Sequence, residues 1–120
     1  MATTVVADPR FGVGQRVRIG KVRTELMDYT GMRGTVIDVH RMLAEVDKNG
    51  RFVRGGLVID ERDCGKVGLP CRWVGETFEL DLPGLYGRTI RHQFHHYNYS
   101  LKVDGLAYQV QVREKDIVPA

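Results

Sequence analysis

The 120-residue chain contains no apolar run approaching the ~18 to 20 residues of a membrane-spanning helix, so a helical span is excluded. It has only two cysteines, Cys64 and Cys71, with six residues between them. Small secreted domains that depend on disulfides carry about four or more, so two free thiols are expected. Met1–Ala7 has neither a basic leader nor an apolar core, and no secretory signal is read there. A cytoplasmic protein with no membrane partner is therefore expected. Long amphipathic helices are lacking too. The sequence has no glycine-rich loop ending in Lys-Ser/Thr, no nucleophile elbow, and no Ser-His-Asp or Cys-His pair marked by spacing, so neither a catalytic residue nor a cofactor is expected.

What the chain does have is a globular balance, with 42% hydrophobic and 28% charged residues, and 14 glycines that divide it into short segments. Gln15-Arg16-Val17-Arg18-Ile19, Gly34–Val39, Leu43–Val46 and Arg51–Val53 alternate or are β-rich, as do Thr77–Leu80, Gly87–Arg91, Tyr99–Val103 and Tyr108–Val112. Alternation at a period of two between turn residues predicts strands. Single helical turns are predicted only at Asp60–Cys64 and Arg113–Ile117, where acidic residues suit the first turn.

The two halves repeat one another. Gly31-Met32-Arg33-Gly34-Thr35-Val36-Ile37 matches Gly84-Leu85-Tyr86-Gly87-Arg88-Thr89-Ile90, and Leu57–Cys64 matches Val110–Ile117, both at an offset of 53 residues. Gly14–Ile19 matches Gly75–Leu80, and Ala44–Asp47 matches Leu101–Asp104, in the same order. On this match Cys64 takes the place of Ile117, which makes it a core residue.

Each half resembles a Src-homology-3-like barrel of the kind found in KOW and Tudor-like modules, through the loop and long strand at Gly31–Val36. Phe11–Ile19 and Tyr29–Val36 are also similar to the barrel domain of nitrile hydratase β subunits, over roughly residues 11 to 47. The resemblance implies an all-β protein of two tandem, small, five-stranded Src-homology-3-like barrels with short helical turns. They would follow an N-terminal extension at 1–10, as a first barrel at 11–66 and a second at 67–120. It also raises an accessory-barrel role beside a metalloenzyme.

Net charge is +3, and all of the excess lies in the first half, with 12 basic against 9 acidic residues through residue 66 and 6 against 6 beyond it. Arg16, Arg18, Lys21, Arg23, Arg33 and Arg41 form the basic set. Arg16 and Arg18 project from one face of a strand, so phosphate binding is expected there. His92–Tyr99 carries three of the four histidines and three aromatics, and it falls at an expected hairpin tip. His95, His96, Tyr97 and Tyr99 could stack on bases. A zinc site from His92, His95 and His96 with a cysteine lacks paired ligand spacing, and no metal is expected.

The leading function is therefore non-enzymatic, sequence-tolerant binding of RNA or DNA. The alternative is a protein-interaction adaptor or inhibitor that docks on a larger enzyme through Trp73, Leu85 and Tyr86. Capture of a small anion in a cleft between barrels is a further reading. Whether one chain or a homodimer completes the surface is open in the sequence.

Overall fold

A computed structural model of the chain describes residues 8–66, 68–82 and 87–120. The chain is all-β and antiparallel: β1 (Arg16–Ile19), β2 (Arg33–Val46), β3 (Val58–Asp60), β4 (Cys71–Val74), β5 (Thr77–Leu82), β6 (Arg88–Val103), β7 (Gln109–Arg113) and β8 (Ile117–Pro119). Short 3-10 turns at Glu61–Lys66 and Glu114–Asp116 lie where helical turns are predicted, each opening on acidic residues. Strands pair in the order β4-β5-β6-β2-β1-β8, with β3 on β2 and β7 on β6. Among the described residues no helix is long and apolar enough to cross a membrane.

Two long strands run through the expected hairpin tip and through the gap between two expected strands. β2 runs for 14 residues through Val39–Met42, and β6 for 16 residues through the histidine-rich stretch, so neither site is a turn. Their length lets each strand serve two cores. In β6 the buried side chain is His92 and then Tyr97, Tyr99, Leu101 and Val103, an odd step that moves burial to the opposite face of the strand. In β2 burial falls at Gly34 and Val36 and, after a partly buried stretch, again at Leu43, Ala44 and Val46.

The compact units accordingly do not follow chain order. One consists of the chain up to His40 together with Tyr97–Ala120, and the other of Arg41–His96. The expected boundary between 11–66 and 67–120 falls within the second unit, and β2 and β6 each run from one unit into the other.

In the first unit β1 alternates, with Val17 and Ile19 inside and Arg16 and Arg18 outside. Its core adds Phe11, Val36, Tyr99, Leu101, Val112 and Ile117, with Phe11 and Tyr99 edge to face at 5.6 Å between ring centroids. β8 returns antiparallel on β1, pairing Arg18 with Val118. In the second unit Leu43, Cys64, Phe78 and Leu80 form the core, with Ile59, Leu69, Leu82 and Phe94 against it. β4 pairs with β5 there, Trp73 opposite Phe78.

His92 is fully buried in this second unit. Burial pushes its imidazole below the ordinary range, and the charge of Glu45 and the Phe78 backbone oppose that only in part. A depressed folded-state value means that the unfolded chain binds the proton more readily, so stability is lost as pH falls below the ordinary imidazole range. Urea midpoints measured from pH 8 to pH 5 should therefore fall. The His92→Leu variant should show a shallower decline, and equal slopes for the two proteins would refute this assignment.

Candidate nucleic-acid interface

The register of β1 on β2 sets Arg18 directly opposite Arg33, and Arg16 opposite Thr35. All three arginines are exposed on the outer face of the first unit. Arg16 is committed: its guanidinium donates to Thr35 Oγ1 at 3.1 Å and grips the Asp104 carboxylate, with Nη1 to Oδ1 at 2.9 Å. That grip holds Asp104 below the usual carboxylate range, and the charge of Arg33 adds to it. Asp104 also donates its backbone N–H to the Arg33 carbonyl at 2.9 Å, which fixes β6 beside β2.

Arg18 and Arg33 are not neutralised in this way. Among the described residues neither has an ion pair, and the same holds for the exposed Lys21 and Lys102. Like charges directly opposite one another on a sheet are destabilising by up to ~1 kcal/mol, a cost that a bound anion removes. Arg23, by contrast, is paired with Asp28 at 3.2 Å.

Arg41 does not join this set. It lies in the other unit, where its Nε meets Glu61 at 3.2 Å and its guanidinium sits 5.1 Å over the Phe94 ring. Most other cations of that unit are also paired: Arg72 with Glu79 and Asp81, Arg91 with Glu79, Arg88 with Glu45, and Lys66 with Asp63. Its unpaired cations among the described residues are Lys48, Arg51 and Arg54, all exposed in the 47–57 hairpin.

The expected aromatic cluster separates. Tyr97 is 8% exposed and Tyr99 fully buried, so neither can stack on a base. Tyr99 accepts a hydrogen bond from the Phe11 N–H and donates its hydroxyl to Glu114, a core role. Burial and then the Glu114 carboxylate raise its pKa above the ordinary phenol value. His95 remains exposed and touches two neighbours: its Nδ1 lies 2.7 Å from His96 Nδ1, and its ring meets Phe52 edge to face at 4.7 Å. The part played by Phe52 was not legible from spacing, because residues 52 and 95 are joined only by the fold.

Trp73 is 46% exposed and tilts on Phe78 at 5.2 Å between centroids. Leu85 and Tyr86 lie outside the described residues. His40 Nε2 is 2.7 Å from Ser100 Oγ and 3.9 Å from Asp38 Oδ2. Both of these contacts use the same ring nitrogen, and Ser100 is buried. Cys64 is buried, its thiol pushed up to about 11 chiefly by desolvation, whereas Cys71 is exposed; both are free thiols. Among the described residues no three His, Cys, Asp or Glu side chains converge as metal ligands.

No protein-family model, curated protein or solved structure matches the chain.

Proposed function

We propose that the protein is a non-enzymatic, sequence-tolerant nucleic-acid-binding module, and that each compact unit is a small Src-homology-3-like barrel. The strand succession supports the architecture. In the first unit β1, the start of β2, the end of β6, β7, a 3-10 turn and β8 follow one another, and β8 closes on β1. In the second unit β5, the start of β6, the end of β2, β3, a 3-10 turn and β4 give the same cycle, and β4 closes on β5. Each barrel on this reading is assembled from both sequence repeats, in place of one repeat per barrel.

The observation that carries the function is the opposed pair Arg18 and Arg33. They are two exposed guanidiniums on adjacent strands with no ion pair among the described residues, although the charge of Arg33 reaches Asp104, and Lys21 and Lys102 supply further cations in the same unit. Fork-shaped guanidiniums suit phosphate oxygens, and a polyanion replaces the mutual repulsion of the pair with attraction on both sides.

The test is fluorescence anisotropy of a labelled 20-nucleotide single strand across a salt series. The Arg18→Glu/Arg33→Glu double variant should bind at least about tenfold more weakly at 100 mM salt. Its log–log salt slope should be smaller by roughly 1.4, from ~0.7 for each phosphate that an arginine no longer neutralises. Arg16→Gln should do less, because Arg16 already serves Asp104. Unchanged affinity and slope in the double variant would overturn the proposal.

A second reading has its own observation. Trp73 and Val74, 46% and 54% exposed, lie on β4, the end strand of the pairing order, where an apolar protein partner could be held. A stoichiometric protein complex that survives 1 M salt and is abolished in Trp73→Ala would favour that reading.

A further inference from the structure

The backbone of the 47–57 hairpin of the second unit is closed by several hydrogen bonds. The Asp47 carboxylate accepts the backbone N–H groups of Asn49 at 2.8 Å and Arg51 at 3.0 Å, which holds it below the usual range and closes the turn. Asp47 N–H bonds the Arg51 carbonyl at 2.8 Å, Phe52 bridges Val46, and Val53 N–H bonds the Glu45 carbonyl at 2.9 Å. Gly50 takes a φ of 79°, the left-handed value such a turn requires.

On this frame Phe52 is 49% exposed and stands at 88° to the exposed His95 ring. The two rings meet edge to face and both are exposed, so a flat heterocycle can lie on an open ring face. Lys48, Arg51 and Arg54 are exposed in the same hairpin as Phe52, three cations against the single Asp47 carboxylate, which backbone donors already occupy and on which the Arg51 and Lys48 charges act. An apolar peptide could cover the Phe52 ring but would leave these cations without a counter-charge. A strand that carries both a π-face and a phosphate matches both features.

We infer that Phe52 and His95 form a base-stacking site for single-stranded nucleic acid, with Arg51 and Arg54 taking the adjacent phosphates. This rests on the nucleic-acid reading above and adds to it the class of strand and a second contact point. Stacking tolerates any base, which agrees with a sequence-tolerant binder, and it excludes duplex, whose bases are already stacked on one another.

Three labelled probes test the inference: a 20-nucleotide oligothymidylate, a strand of equal length made of abasic sites, and a 20-base-pair duplex. Wild-type protein should bind the oligothymidylate about tenfold more tightly than the abasic strand. Phe52→Ala and Phe52→Leu should each bring the oligothymidylate down to the abasic level, with salt slope unchanged. Phe52→Tyr should keep most of the difference, and duplex affinity should not respond to any of the three. Thermal unfolding of each variant checks that the fold persists; the half-exposed position makes it tolerant.

If the Phe52 variants bind oligothymidylate as the wild type does while Arg18→Glu/Arg33→Glu abolishes binding, the stacking site is overturned and the basic face stands. Equal wild-type affinity for abasic and base-bearing strands overturns the stacking site as well. No binding to any strand removes both.

Discussion

Residues 8–66 and 67–120, produced as separate polypeptides, are each expected to be unfolded, and mixing them in equal amounts should restore the native β spectrum and a one-to-one complex. The expectation follows from the composition of the two units. The first fragment holds β1 and β2 but not β8 or β6, so the β1–β8 pairing and the wall formed by Tyr99, Leu101 and Val103 are missing. The second fragment holds β5 and β6 but lacks Leu43 and Cys64, half of the core around Phe78 and Leu80. Chains of this size sit at the margin of stability even with a complete core, and removal of half of it costs several kcal/mol that nothing replaces. Far-UV circular dichroism and amide spectra of the fragments, separately and mixed, provide the measurement. Two independently folded fragments would refute this division into units and restore the sequential one at 11–66 and 67–120.

Gly34→Ala is expected to be the most damaging single-methyl change in the first unit. A Cβ at this position would lie 2.8 Å from the Lys102 carbonyl oxygen and 3.2 Å from the Val103 Cα. Both are backbone atoms of β6, so relief requires the two long strands to part, and no side-chain rotation can provide it. Overpacking of this kind costs roughly 1 to 3 kcal/mol, and the effect should lie at the upper end because pairing is disturbed as well. Gly12→Ala is the matched control, since nothing lies within 4 Å of its added methyl and its φ is ordinary. Urea unfolding of the two variants beside the wild type decides the matter. Equal midpoints for Gly34→Ala and Gly12→Ala would show that β2 and β6 are not held together here.

The repeat, the strands and the helical turns could be read from the residues because each is a local signal. Cys64 and Ile117, equivalent in the repeat, are indeed both buried, at 3% and 1% exposure. The alternation of Arg16-Val17-Arg18-Ile19 set inside against outside correctly, since a strand has only two faces. The hairpin tip expected at His92–Tyr99, and the break between two strands at Val39–Met42, failed for a reason that was also present in the residues. No glycine or proline occurs from 35 to 49 or from 88 to 104, so neither stretch offers the residues that most readily form a tight turn. Tyr97 and Tyr99 share a strand face with Leu101 and Val103, an apolar series that marks them as core once β6 is continuous. Other features were beyond reach. That Arg16 meets Asp104, that Arg41 meets Glu61, and that Phe52 meets His95 are consequences of long-range pairing, with no trace in local spacing.

The pairing of β1 with β8 joins residues about a hundred positions apart, and it sets an order of events during synthesis on the ribosome. The second unit, a continuous segment from Arg41 to His96, has all its strands available while later codons are still being read. The first cannot close until Ile117–Pro119 has emerged, so Val17 and Ile19 wait with their apolar sides uncovered. Translation that stalls before that point would therefore leave an aggregation-prone nascent chain that is only half closed, which makes the three-residue strand β8 the latch of the first unit.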